Sequence, residues 1–316
     1  MQADGREKLF RYLKQGGYSL HFMTLVIYGM VVLIWGGGFI AVEFQLGLIN
    51  EEVSVLYRFA AATTLILIYI AISRKPMFSF QMRDHFLFAL IGLFFFSCNF
   101  FLIYSAQKYL TSGIVAIAFS MALFFTQINS LVFLRMPLRL KTAIGGGICI
   151  AGLVLVFRDT IFLSDLGHNM TKGMLLILAA AYIVSLANVV TAKITARGLP
   201  IIQSNAWAMI YGTLYNFFIV VLLGGEFVYD TRISYWVSFV YLAALGSVVG
   251  FLLYFALVRR IGPERSVPAL TILAPLIAFI VSVVVEELAV TPVLVIGVAS
   301  VLAGNIVIAY RGQRKV

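Results

Sequence analysis

Residues 110–157 read LTSGIVAIAFSMALFFTQINSLVFLRMPLRLKTAIGGGICIAGLVLVF, and residues 261–310 read IGPERSVPALTILAPLIAFIVSVVVEELAVTPVLVIGVASVLAGNIVIAY. The two stretches repeat one pattern. Ser120 aligns with Thr271, and Ala118 with Ala269, at an offset of 151. Ala151-Gly152 aligns with Ala303-Gly304 at an offset of 152, so one residue is expected to have been gained in the connecting turn. Both copies are apolar except near their midpoints. There the first carries Arg135, Arg139 and Lys141, and the second carries Glu286 and Glu287. Lys and Arg collect in cytoplasmic loops of membrane proteins. A duplicated unit that crosses the bilayer in opposite directions should therefore reverse its charge at equivalent turns, and inverted repeats of this kind build secondary transporters.

Composition agrees with a membrane protein. Of 316 residues, 62% are hydrophobic and 11% charged, whereas soluble chains are roughly half apolar and a quarter charged. The net charge of +10 forms no patch interleaved with stacking aromatics, which argues against nucleic acid. Cys98 and Cys149 lie in apolar runs without zinc-ligand spacing, and His21, His85 and His168 are scattered, so no metal site, catalytic cluster or cofactor is expected. A phosphate-binding GxxxxGK[ST] loop is missing from the sequence. The basic N-terminus lacks the short apolar core of a cleavable signal, and residues 9–13 are expected to form an amphipathic turn on the lipid surface.

A helix needs about 20 apolar residues to cross the hydrocarbon layer. Ten segments qualify: 22–42, 53–72, 85–105, 111–134, 141–157 (the shortest), 173–195, 204–223, 235–257, 267–285 and 291–310. The runs are continuous rather than alternating, which argues against a barrel. With the N-terminus placed inside, 18 of the 23 Lys and Arg fall in cytoplasmic segments and 4 outside, Arg58 lying within a helix. The expected class is an all-α polytopic membrane protein of ten transmembrane helices in a five-plus-five inverted repeat. Its parts are a cytoplasmic segment (1–21), a first repeat (22–157), an outer connecting loop (158–172), a second repeat (173–310) and a cytoplasmic tail (311–316). The expected location is the bacterial inner membrane, with both termini cytoplasmic.

Several motifs then fall into order. The second half carries Ala256-Leu-Val-Arg-Arg-Ile-Gly-Pro263, Ser266-Val-Pro-Ala-Leu-Thr-Ile-Leu-Ala-Pro275 and Glu286-Glu-Leu288 before Pro292. The first half carries Trp35-Gly-Gly-Gly-Phe39, Tyr57-Arg58-Phe59 and Tyr104-Ser-Ala-Gln-Lys-Tyr-Leu-Thr111. Together, across nearly the whole chain, they resemble the EamA-type exporters of the drug/metabolite transporter superfamily. That resemblance implies export of small metabolites, often amino acids. Two departures stand out. Phe133-Leu-Arg135-Met-Pro137 replaces the Gly-Glu that the family places after the fourth helix, and Gly36-Gly37-Gly38 replaces a common serine-asparagine after Trp-Gly.

Polar groups within the membrane are candidate site residues because lipid cannot solvate them. Arg58 either fixes the second helix, with Glu43 or a carbonyl as partner, or anchors a substrate carboxylate. Asn99, Gln127 and Thr271 lie near the midplane. Tyr182, Ser185 and Asn188 recur at spacing three on the sixth helix, and Ser247 and Tyr254 share a face of the eighth. Trp35, Tyr182 and Tyr254 offer flat walls for an amphipathic or aromatic substrate. A wet central cavity lined by these groups is the expected site, against the alternative of plain interhelical hydrogen bonding. Gly36, Gly37 and Gly38, like Gly145-Gly146-Gly147, serve close packing or a hinge, while Pro268 and Pro275 are expected to kink the ninth helix into a gate. Glu43 and Glu286 are the coupling candidates. Their position at helix ends favours facilitated efflux or exchange over tight proton antiport. The expected partners are a small-molecule substrate and the bilayer, with a monomer or dimer as the working unit. The rival functions are an importer or exchanger of metabolites or nucleotide-sugars, a membrane-enzyme subunit, and a flippase-like or structural helper.

Overall fold

Inside a bilayer every backbone N–H and C=O must find a partner within the protein, and a continuous apolar run achieves this as a helix. The computed structural model describes the backbone of residues 2–77, 79–158 and 167–310, and side chains for 22–77, 79–158, 169–262 and 265–310. The tail at 311–316 and loop residues 159–166 lie outside the described residues. The expected surface turn at 9–13 falls within the first helix, at side chains that also lie outside them.

Among the described residues ten helices run in chain order: α1 (Gln2–Glu43, apolar over Phe22–Glu43), α2 (Glu51–Ile72), α3 (Met82–Gln107), α4 (Ser112–Leu134), α5 (Leu140–Val156), α6 (Gly167–Ala196), α7 (Ile201–Leu223), α8 (Ile233–Ile261), α9 (Pro263–Val285, apolar over Arg265–Val285) and α10 (Pro292–Ala309). Among the described residues, nine are long and apolar enough to span a membrane, and α5, with 17 residues, is shorter. Large apolar side chains such as Leu140, Leu222 and Ile233 stay exposed on the outer surface, as expected where the solvent is lipid.

The packing is symmetric. Helix α1 packs on α8 and α9, as α6 packs on α3 and α4; α2 packs on α8, as α7 packs on α3. The remaining main pairs, α2–α7, α4–α9 and α5–α10, join equivalents. Exchanging helices one to five for six to ten returns the same pairings, which defines a two-fold pseudo-axis. At that axis Thr63 and Thr213, 150 residues apart, hydrogen-bond to each other through their hydroxyls at 2.9 Å.

The α5–α10 crossing obeys the same rule. A methyl group added to Gly145 would meet Gly304 O at 2.7 Å, and one added to Gly152 would meet Gly297 O at 2.7 Å. Gly145 is equivalent to Gly297 and Gly152 to Gly304, so each contact is the symmetry mate of the other. Backbone approaches backbone, the arrangement that small residues permit in membranes. Gly147 has open space around its Cα, so the packing role belongs to Gly145 and its neighbour Gly146, which lies against Phe124.

The structure relocates the extra residue of the second repeat. Arg135 and Glu287 both adopt left-handed backbone, with φ of 55° and 53°. Each closes a helix in the same way: Met136 N donates to Ser130 O (3.2 Å) and Leu288 N to Ser282 O (3.5 Å). These turns already stand at an offset of 152, whereas the first helical residues, Ser112 and Pro263, stand at 151. The insertion therefore lies inside the helix, not in the connecting turn. Helix α9 opens into a π-helical stretch at Ala269–Leu273, flanked by Pro268 and Pro275, while α4 is interrupted at Ser120–Met121. A π turn is how an α-helix absorbs one added residue. Pro275 has no N–H to offer Thr271 O. Asn305 of α10, fully buried, donates to that oxygen at 3.4 Å and to Ser120 Oγ at 2.9 Å. A single amide thus supports both equivalent irregularities.

Candidate substrate site

The axis also relates α3 to α8, and each widens into π-helix mid-course, at Gly92–Asn99 and Tyr241–Val249. Such turns turn carbonyls outward, where they need donors. Phe96 O accepts from Asn216 Nδ2 of α7 at 3.0 Å. Its counterpart 150 residues on, Gly246 O, accepts from Trp35 Nε1 of α1 at 3.0 Å. Within α8, the Ser247 hydroxyl donates to Leu242 O at 2.9 Å.

Arg58 of α2 reaches this opened stretch. Its side chain is buried, with 5% exposure. Nε donates to Ser247 Oγ at 3.2 Å and Nη1 to Tyr104 Oη at 3.5 Å. The Tyr104 hydroxyl donates onward to Gln45 Oε1 at 2.6 Å. The guanidinium lies over the Phe100 ring at 4.4 Å and near the Phe59 ring at 5.3 Å. Among the described residues its partner is neither Glu43 nor a carbonyl: the side chain turns toward α3 and α8, where hydroxyls meet it. Among the described ion pairs none includes Arg58. Hydroxyl dipoles and aromatic faces solvate the cation but leave its charge uncancelled.

Aromatic rings continue from the cation. Phe59 and Phe100 stand 4.9 Å apart, Phe95 and Phe251 5.6 Å, and Trp35 packs on both Phe251 and Tyr254 at 5.3 Å. Trp35, Arg58 and Tyr254 are thus brought to one neighbourhood around α8. A fixed positive charge beside a run of rings can hold an anion attached to an apolar or aromatic body.

Other candidates group differently. Ser185, buried on α6, accepts from Asn129 Nδ2 of α4 at 2.6 Å; Asn188 Nδ2 donates to Thr126 Oγ1 at 3.0 Å; and Tyr182 packs edge-on against Phe125 at 5.8 Å. These form a second polar seam between α4 and α6. Gln127 is half-buried on α4. Asn99 is buried in the α3 π stretch, its amide donating to Phe95 O at 3.4 Å. The Thr271 hydroxyl donates to Val267 O at 3.2 Å. A methyl group on Gly36 would meet Ile277 at 2.8 Å and one on Gly37 would meet Tyr241 Oη at 2.7 Å, whereas Gly38 is loosely surrounded. Close packing therefore accounts for the first two glycines. Gln45, Tyr104, Phe100 and Asn129 were absent from the sequence candidates. The 150-residue offset could have found the paired carbonyls, but nothing local marks Gln45.

Helix ends are tied by charge. Glu286 accepts from Ser112 N at 3.0 and 3.2 Å, and from the Ser112 hydroxyl, so a carboxylate from α9 caps α4. Asp230 accepts from Arg232 N, Nε and Nη2 at 2.6–3.1 Å, and Arg232 Nη2 also donates to Leu46 O at 3.0 Å. The adjoining Arg232 side chain lowers the Asp230 pKa from its ordinary value. Trp207 and Trp236 donate to loop carbonyls, Met77 O at 2.9 Å and Asp230 O at 2.7 Å.

Ten helices in two inverted halves, joined around a buried cation, define a membrane transporter of the drug/metabolite type, integral to the bilayer. The model of the EamA-like transporter family matches residues 23–158 and 171–310, and the chain belongs to that family. An uncharacterized transporter of Archaeoglobus fulgidus is 22% identical over 287 residues, covering 90% of each chain. A solved crystal structure that is 18% identical shares the fold with a TM-score of 0.63, over 90% of this chain and 96% of that one. The family and the relative point to transport rather than catalysis.

Proposed function

We propose that the protein exports small carboxylate-bearing metabolites, amino acids or related amphipathic and aromatic compounds, by alternating access of its two repeats. Buried Arg58, held by hydroxyls and rings and paired with no carboxylate among the described residues, supports this reading most directly. A substrate carboxylate supplies the missing charge and can use both edges of the guanidinium. Trp35, Phe251 and Tyr254 then take the apolar part. Arg58 and its hydrogen-bond partners come from one chain, which supports a monomer as the proposed working unit, with its termini on the cytoplasmic side. Rocking of one half against the other about the central site is the usual motion of inverted repeats.

The test is a counterflow screen in proteoliposomes across amino acids, amines and nucleotide-sugars. Exchange of a carboxylate compound is expected, with at least about tenfold loss in Arg58→Gln, the size of one charge-assisted hydrogen bond. Arg58→Lys keeps the charge but loses the planar fork, so an intermediate rate is expected. Normal exchange by Arg58→Gln, or exchange confined to amines, overturns the reading.

A further inference from the structure

Nine buried side-chain polar atoms lack a hydrogen-bond partner among the described residues, and five of them gather at one end of the bundle: Glu43 Oε2, Gln45 Nε2, Gln107 Oε1, Thr111 Oγ1 and Ser282 Oγ. They come from the ends of α1, α3 and α9, the start of α4 and the loop after α1. Gln107 fixes the geometry. Its Nε2 donates to Phe39 O at 3.0 Å, one turn before Glu43, and its side chain is only 4% exposed. The unpaired Oε1 is thereby held against the last turn of α1, where the unpaired Glu43 oxygen also lies. Ser282 sits one turn before Glu286, whose carboxylate caps α4 and also acts on Glu43 through space.

Four of these five atoms can accept, and the fifth, Gln45 Nε2, is an amide donor. A hydroxyl can rotate to donate, but Gln107 Oε1 and, while Glu43 is ionised, Glu43 Oε2 can only accept. Among the described basic side chains at this end, Lys108 pairs with Glu51 at 2.7 Å, Arg232 pairs with Asp230 at 2.6 Å, and Lys172 lies over the Tyr109 ring at 5.0 Å. Among the described ion pairs none includes Glu43 or Glu286. A carboxylate with a buried, unpartnered oxygen, such as Glu43, is costly to bury where no described cation pairs with it, and the Glu286 carboxylate adds a second negative charge nearby. One of the two is spent on the α4 N-terminus, which leaves about one negative charge to balance.

We propose that Glu43 and Gln107, with Glu286 and the Thr111 and Ser282 hydroxyls around them, form a site for a monovalent cation, either a proton on Glu43 or a sodium ion among these oxygens. The inference deepens the transport reading by supplying a coupling ion, and it departs from the expectation of uncoupled efflux. A proton on Glu43 would donate to Gln107 Oε1 and satisfy both acceptors with one bond.

The test reads binding rather than transport. Purified wild type, Glu43→Gln and Gln107→Leu are melted in NaCl and in choline chloride of equal ionic strength at fixed pH, and again across pH in choline alone. A sodium site raises the wild-type midpoint by a constant increment for each tenfold rise in sodium above its Kd. A proton site instead makes the wild-type midpoint pH-dependent without sodium. Either dependence is expected to vanish in Glu43→Gln and to weaken in Gln107→Leu. Curves for both variants that run parallel to wild type in sodium and in pH overturn the proposal. If Glu43→Gln does not fold, Gln107→Leu decides on the same criterion. Counterflow of a carboxylate compound without any such ion effect overturns this site and leaves the Arg58 reading standing. An ion effect in a protein that exchanges no carboxylate compound does the reverse.

Discussion

Asn305 shows how much one side chain can hold together. Its amide donates to Ser120 and to Thr271 O, the two positions that correspond between the repeats. Asn305→Leu removes both bonds and leaves a proline-freed carbonyl without a donor. Interhelical hydrogen bonds in membranes are worth about 0.6 kcal/mol on average and up to about 1.7. The substitution is therefore expected to lower stability by about 1–2 kcal/mol, measured as unfolding in a graded denaturing detergent. Thr271→Ser keeps the backbone carbonyl and should leave stability close to wild type. At this scale the sequence was half legible. Arg58 announced itself as a charge inside an apolar run. Its partners did not, because Ser247 is 189 residues away and Tyr104 is 46. Only packing of α2 against α3 and α8 brings them into reach.

Element by element, the spans were easy to read and their irregularities were not. Apolar side chains cover every face of these helices, so no stripe betrays where the backbone changes from i→i+4 to i→i+5 bonding. The clue was arithmetic: the offset between the copies changes by one between Ser120 and Ala151. Structure puts that change at the prolines of α9. Helix ends give a further expectation. Arg232 depresses the Asp230 pKa and ties the loop before α8 to the loop after α1. A depressed carboxylate stabilises the fold fully above its unfolded pKa, about 3.9, and loses that contribution as pH falls through the folded value. The melting difference between wild type and Asp230→Asn should thus stay constant near neutrality and shrink below about pH 4. A difference that grows on acidification would contradict the assignment.

For the whole molecule, opposite charges at equivalent turns foretold the inversion, since five crossings per half force the second half to enter from the other side. Cysteines placed at Lys141 and Glu287 should react with impermeant reagents from opposite sides of sealed vesicles. The shortness of α5 was also visible beforehand, while the glycine crossing that lets so short a helix pack tightly needed its partner α10 to be seen. Identical halves would give a carrier two end states of equal energy, each the image of the other, so that it would rest half open to either side. The single residue absorbed at Ala269–Leu273 removes that degeneracy. The ninth helix thus differs from the fourth in backbone as well as in sequence, and in the proposed alternating-access cycle the two end states would not be exact images of each other.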